Sequence, residues 1–233
     1  SCKRVVKYYL FCYNEFDGRC KMKTNYDLYE YENDLHSKGY KYIAGCDEAG
    51  RGPLYGPVVA ACCVLPNDFK LEGLTDSKQL TEKRREKYID YIKENALAYG
   101  IGIVSAEEID EINIYEASRK AMLIALSEVR KKIEVDYVIT DAMPIDIDIE
   151  SMPIIKGDAK SITIAAASVI AKVTRDRMMI ELDSKYPEYG FKKHKGYPTK
   201  AHIEAINKYG LIDGYRKTYG PVKELIEKEN KHE

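Results

Sequence analysis

Residues 58 to 65 read Val-Val-Ala-Ala-Cys-Cys-Val-Leu, eight apolar side chains in succession. Neighbouring side chains of a strand point to opposite faces, so a strand with one wet face alternates in polarity. The unbroken run therefore predicts a strand buried on both faces, in a sheet that helices cover on each side. The flanking sequence supplies the rest of such a sheet. Tyr40 to Asp47 reads as a strand entering the turn Ala49-Gly50-Arg51-Gly52-Pro53, with a hairpin as the natural connection to the apolar strand. Thr81 is placed to cap a helix to about Asn95, with Tyr88, Ile89, Ile92 and Leu97 inward. Ala98 to Val104 reads as a third strand. Ser105 with Glu108, and Asn113 with Glu116, have the spacing of capping boxes that open helices. The second of these helices turns Ala117, Ala121, Ile124, Ala125 and Val129 to the core. Strands follow at Val135 to Thr140 and Met152 to Ile155, then a long helix from about Ala159 to Tyr186 and short helices near Thr199 and Pro221. Strands interleaved with helices in this order predict an α/β fold, a mixed five-stranded sheet flanked by helices.

Three regions are expected. Residues 1–39, dense in Tyr and charge, form an N-terminal extension in which Leu28, Tyr31 and Leu35 share one helical face. Residues 40–212 form the α/β core, and residues 213–233 a helical tail.

The formal net charge is −1, from 37 basic and 38 acidic residues, so any nucleic-acid footprint has to be local. One such stretch is Lys192-Lys193-His194-Lys195, with no acid between Phe191 and Lys200. The cysteines at positions 2, 12, 20, 46, 62 and 63 have no zinc-like spacing and read as reduced thiols, with Cys62 and Cys63 as small buried hydrophobes. No run approaches the ~18 apolar residues of a membrane span, and no secretory pattern opens the chain. The expectation is a soluble, cytoplasmic protein.

Four carboxylates fall at the ends of predicted elements. Asp47 and Glu48 close the first strand, Asp141 closes the fourth, and Asp158 precedes the long helix. Strand ends on one edge of an open α/β sheet are where ligand crevices form. Asp47 and Glu48 point to opposite faces of a regular strand, so a break at Glu48 would be needed for both to enter one site. Clustered carboxylates repel one another unless a cation intervenes, and oxygen ligands suit Mg²⁺ or Mn²⁺. Taken singly, each acid is as easily a turn or capping residue, Asp158 above all. The segment Gly45-Cys46-Asp47-Glu48-Ala49-Gly50-Arg51-Gly52 superficially echoes a phosphate-binding loop, but its two carboxylates and its lack of a Lys-Ser/Thr end exclude that reading.

The run Ala44 to Leu54 followed by Gly56-Pro57-Val58-Val59-Ala60 resembles the opening signature of the ribonuclease HII family, the type 2 ribonucleases H of bacterial type. Further blocks match in order: Asp76-Ser77-Lys78-Gln79-Leu80, Asp141-Ala142-Met143-Pro144, Lys156-Gly157-Asp158 on through Ala165-Ala166-Ala167-Ser168 to Asp176, and His194-Lys195-Gly196-Tyr197-Pro198-Thr199. The resemblance spans about residues 40 to 212. It implies a ribonuclease H-like fold and cleavage of the RNA strand of RNA/DNA hybrids, and of DNA duplexes with embedded ribonucleotides. The cut falls 5′ to a ribonucleotide, leaving 3′-hydroxyl and 5′-phosphate ends, by a monomer using two divalent ions.

By position, the resemblance places the metal-binding carboxylates at Asp47, Glu48, Asp141 and Asp158. Asp176 lies 18 residues beyond Asp158, ~27 Å along a continuous helix, and is left as an ion-paired structural residue of the Arg175–Arg177 region. Gly50-Arg51-Gly52 resembles the segment whose backbone reads the 2′-hydroxyl, and Tyr197 the tyrosine that stacks on the next sugar. Lys78 and Arg51 are candidate phosphate contacts, and His194 reads as a phosphate or structural contact. Two positions depart from the pattern: Tyr55, where the family commonly has a small residue, and Tyr215, where it often has His. The competing readings are another metal nuclease of the same fold, such as a resolvase or a type 1 ribonuclease H, and a catalytically silent hybrid-binding module.

Overall fold

The computed structural model describes residues 27–74 and 77–230. Cys2, Cys12, Cys20, most of the N-terminal extension, and Asp76 of the Asp-Ser-Lys-Gln-Leu block lie outside the described residues. The elements run α1 (Glu30–Ser37), β1 (Ile43–Ala49), β2 (Val58–Val64), α2 (Glu82–Asn95), β3 (Ala98–Val104), α3 (Ala106–Arg130), β4 (Tyr137–Asp141), β5 (Ser151–Ile154), α4 (Ile162–Lys185), α5 (Phe191–His194), α6 (Lys200–Tyr209) and α7 (Gly220–Glu229). The strands form one sheet in the order β3-β2-β1-β4-β5. β1, β2 and β3 pair antiparallel, and β4 and β5 run parallel to β1.

All seven residues of β2 are buried because its two faces enter two different cores. Ala60, Cys62 and Val64 pack with Ala117, Ala121, Ala125 and Val129 of α3. Ala61 and Cys63 pack with Tyr88, Ile89 and Ile92 of α2 and the Ala165–Ala167 run of α4. α4 sits directly on β1: a Cβ on Gly45 would lie 2.6 Å from the Thr163 carbonyl carbon, so only glycine admits the start of this helix.

The cap chemistry is local and forms where the spacing predicts it. Thr81 accepts from the Arg84 amide, Ser105 from Glu108, and Asn113 Oδ1 from Tyr115 and Glu116. Asn113, at φ 68°, kinks α3 where a second cap interrupts it. Elsewhere the structure corrects the sequence. β1 continues through Glu48 to Ala49, which pairs with Val59, so no break occurs at Glu48. Leu97 lies past the end of α2 and is exposed. α4 begins at Ile162 with Ser161 as its cap, and Asp158 occupies a separate 3-10 turn, Gly157–Ala159. Cys46 and Cys62 are not free thiols: they face one another across the β1–β2 hairpin with Cα atoms 4.2 Å apart and are joined by a disulfide. Cys63 remains a buried free thiol, as expected of a small core residue. Among the described residues no helix is long and apolar enough to cross a membrane.

Candidate active site

The parallel pairing of β1 with β4 brings the C-terminal ends of both strands to one edge of the sheet. Cys46 pairs with Thr140, which sets Asp47 beside Asp141, the last residue of β4. β5 pairs alongside, Ile154 opposite Asp141, and delivers the Gly157–Ala159 turn to the same edge. The Gly157 amide donates to Asp141 Oδ1 at 2.7 Å and ties that turn to the strand end. One carboxylate oxygen each from Asp47, Asp141 and Asp158 then lies within 4.8 Å of the others. Asp47 and Asp158 are each 5% exposed, which is low for acids and marks this as a constructed pocket.

Glu48 follows Asp47 on an unbroken strand and still borders the same pocket, its charge interacting with those of Asp141 and Lys78, so no break in β1 is needed to bring it there. It stands close enough to Asp47 for their charges to interact, and Arg51 Nη1 donates to its Oε1 at 3.3 Å. Its Oε2 is buried and has no hydrogen-bond partner among the described residues. Burial raises the Asp47 carboxyl well above the usual range, with the neighbouring Glu48 and Asp141 charges adding to the effect. Burial also raises Glu48, against the opposing pull of Arg51. Lys78 Nζ lies 3.6 Å from Asp158 Oδ2. A cluster of acids gathered this closely is self-repelling and is stabilised by cations. Hard divalent cations fit its all-oxygen donor set and its partnerless carboxylate oxygen.

Sequence reasoning missed the serines that connect this pocket. Ser168 on α4 bonds Asp47, and its Oγ lies 2.7 Å from Ser77 Oγ. That link holds the Ser77–Gln79 turn, and with it Lys78, beside the pocket. Both serines sit in the family blocks, but nothing in their spacing marks them as partners.

The second half of the site is the loop Gly50 to Pro57. Gly50 has φ +101°, and a Cβ there would lie 2.2 Å from Arg175 Nε. A Cβ on Gly52 would lie 3.3 Å from Tyr197 Cε1, so the glycine loop and Tyr197 are neighbours, and Tyr197 keeps 41% exposure. Two buried arginines shape the loop; the sequence placed Arg175 only beside an ion-paired Asp176 and gave Arg216 no role. Arg216 Nη2 donates to the carbonyls of Gly50 at 2.6 Å and Gly56 at 2.8 Å, and Nη1 to that of Arg51 at 2.9 Å. Arg175 donates to the carbonyls of Tyr55, Pro57 and Lys195, each near 3 Å.

His194 is structural. Its Nε2 lies 2.8 Å from the Tyr189 carbonyl, and its Nδ1 accepts from the Gly196 amide. Tyr197 is held through its backbone. Its carbonyl accepts from His202 Nδ1 at 2.9 Å, which leaves His202 Nε2 to accept from the Tyr215 hydroxyl. Burial pushes the His202 imidazole down to about 4, so this neutral arrangement persists at physiological pH. The two departures from the family pattern meet here: Tyr55 and Tyr215 pack edge to face at 4.9 Å. Asp176 is ion-paired, but with Lys172 at 2.7 Å and Arg85 at 3.8 Å rather than with the adjacent arginines. Of the basic stretch, Lys192 and Lys193 are exposed, while Lys195 is partly buried and reaches the Lys192 carbonyl.

Comparison with known proteins matches residues 44–219 to the family described as ribonuclease HII. The ribonuclease HII of Bacillus cereus (strain G9842) is 52% identical over 227 residues, covering 97% of this chain and 88% of that protein. The ribonuclease H2 from Pyrococcus horikoshii OT3 superposes with a TM-score of 0.69 at 31% identity, covering 82% of this chain and 99% of the other. The ribonuclease HII in the PCNA complex from Archaeoglobus fulgidus gives a TM-score of 0.64 at 25% identity, covering 77% and 95%.

Proposed function

The chain belongs to the ribonuclease HII family, metal-dependent hydrolases of the type 2 ribonuclease H class with a ribonuclease H-like fold; from that premise we propose that it cuts the RNA strand of RNA/DNA hybrids and cleaves 5′ to single ribonucleotides embedded in duplex DNA, leaving 3′-hydroxyl and 5′-phosphate ends. Its place is then ribonucleotide removal during replication and repair. The family match displaces the readings as a resolvase, a type 1 ribonuclease H or a silent binding module.

The observation that carries the proposal is the meeting of Asp47, Asp141 and Asp158 within 4.8 Å at the foot of a glycine loop that touches Tyr197. Two divalent ions, Mg²⁺ or Mn²⁺, held by these three and Glu48, would supply a nucleophilic water and charge neutralisation at the leaving oxygen. The protein's own work is placement. Arg216 and Arg175 draw the loop carbonyls inward and so fix the backbone of Gly50, Arg51 and Gly52. The missing Cβ of Gly50 makes room for Arg175, which fixes the turn, and that of Gly52 leaves the main chain open beside Tyr197, where a 2′-hydroxyl, the one handle that separates RNA from DNA at a single nucleotide, can reach it. Tyr197 offers an exposed ring on which the following sugar can stack. Exposed Lys78 and Arg51 are placed to contact phosphates.

The test is product mapping on a DNA duplex containing one ribonucleotide, with Mg²⁺, with Mn²⁺ and with chelator. We expect one metal-dependent cut on the 5′ side of the ribonucleotide. Cleavage of continuous hybrids with no cut at the single ribonucleotide would remove the junction-reading role of the loop.

A further inference from the structure

Helix α1 belongs to the N-terminal extension, yet its contacts reach the start of α4, directly after the turn that carries Asp158. A helix begins with amide donors that have no partner inside the helix. At the start of α4 these are Ile162, Thr163 and Ile164. Ile164 donates to Ser161 Oγ at 3.1 Å, an ordinary cap within the helix's own sequence. The other two find partners in the extension. Ile162 donates to the Leu28 carbonyl at 2.7 Å, and Thr163 to Glu32 Oε1 at 3.0 Å. The same Glu32 oxygen accepts from the Ser161 hydroxyl at 2.5 Å. Ser161, in turn, donates its amide to the Gly157 carbonyl at 2.8 Å, closing the turn in which Asp158 sits. Glu32 is thus two hydrogen bonds from the backbone of Asp158.

The anchoring of α1 points to the same place. Leu35, 3% exposed, packs with Ile43, Ile139, Ile154 and Ile164, one residue each from β1, β4, β5 and α4. β1 and β4 carry Asp47 and Asp141, and β5 and α4 flank the turn that carries Asp158. Glu32 is 6% exposed, and its Oε2 has no hydrogen-bond partner among the described residues. A buried carboxylate with one unsatisfied oxygen costs stability. Overall stability alone therefore gives no reason for an acid at this position, whereas fixing the helix start does.

We propose that Glu32 is a positioning residue of the catalytic centre: by holding Ser161 and Thr163 it sets the start of α4 and the turn before it, and so the place of Asp158 relative to Asp47 and Asp141. Glu32 is on this view tied to the catalytic centre through its hydrogen bonds, while Leu35 serves only to anchor α1. The inference rests on the carboxylate cluster being the metal site.

The experiment measures Mn²⁺ binding to the whole protein by calorimetry, without nucleic acid, beside melting temperature and steady-state cleavage of a hybrid. Glu32→Ala is expected to weaken Mn²⁺ binding roughly tenfold, the scale seen when a partner that orients a metal ligand is lost. It should lower kcat and leave KM for the hybrid unchanged. Glu32→Gln keeps an acceptor oxygen and should restore most of the binding. Leu35→Ala is the stability control: it loses packing under α1 and should melt lower with Mn²⁺ affinity unchanged. If the alanine variant does not fold, Glu32→Asp is read in its place, since its shorter side chain retreats from the Thr163 amide. Wild-type Mn²⁺ affinity in the folded Glu32 variant, or an equal loss in Leu35→Ala, overturns the proposal. Asp47→Asn separates the two readings: undiminished Mn²⁺ binding in that variant would remove the metal site itself, whereas loss there with none at Glu32 removes only the positioning role.

Discussion

The acidic pocket and the glycine loop are neighbours built on opposite physical terms. In the pocket, like charges are forced together by regular structure: strand ends β1 and β4, and a turn tied to them, leave Asp47, Asp141 and Asp158 no room to separate. In the loop, irregular backbone is held by buried cations, with Arg216 and Arg175 taking up carbonyls that no strand or helix satisfies. The pocket gathers like charges, and burial with neighbouring acids raises the Asp47 carboxyl, whereas the loop carbonyls are met by guanidinium donors. Under the proposed function, one region would receive an ion and the other the close approach of a sugar.

The sharpest way to break this contrast is Asp47→Asn. Cleavage should fall by about 10³-fold or more, on the scale of losing a main electrostatic element of a site, while hybrid binding stays near wild type. Stability should move the other way. Burial and the neighbouring acids raise the Asp47 carboxyl, so the folded, metal-free protein holds that proton more tightly than the unfolded chain does. The favourable contribution is present at low pH and is lost as pH rises from the ordinary Asp range through the raised one. Metal-free Asp47→Asn is therefore expected to melt higher than the parent at neutral pH, with the gap closing toward acid. A variant that melts lower at neutral pH would mean the pocket is not strained by its charges.

Arg216→Lys attacks the other region. A single ammonium cannot serve the three carbonyls that the guanidinium fork reaches. Cleavage at a single ribonucleotide should drop about 100-fold, as expected for a small misplacement of a substrate-positioning group. Stability should fall by about 2–4 kcal/mol from the buried carbonyls left unpaired. Mn²⁺ binding should survive, and its loss in parallel would show the two regions to be one cooperative unit. The smallest effect is expected from Tyr197→Ala. Losing the stacking surface should cost about 1–2 kcal/mol at the junction, read as weaker preference for the embedded ribonucleotide with general hybrid binding less affected. Equal loss on both substrates would count against a reader role.

The two regions also differ in how far the sequence revealed them. Each pocket carboxylate was visible as an acid at the end of a predicted element, because strand and helix boundaries leave local marks in polarity and caps. The place of Glu48 was not: whether β1 stopped or continued there depended on its pairing with Ala60 across the hairpin. For the loop, the glycines and Tyr197 stood out only through the family blocks, and nothing local gave a role to Arg216, which holds Gly50 from 166 positions away.

By itself, then, the sequence determined the covered sheet, the caps at Thr81, Ser105 and Asn113, and which acids would stand at strand ends, since each follows from a period or spacing a few residues long. Tertiary structure alone decided the Cys46–Cys62 bond, the packing of Tyr55 on Tyr215, the arginine-bound loop and the reach of Glu32 to the start of α4. Apart from the hairpin disulfide, these contacts join residues more than a hundred positions apart, and every one depends on how completed elements pack, which no local pattern encodes.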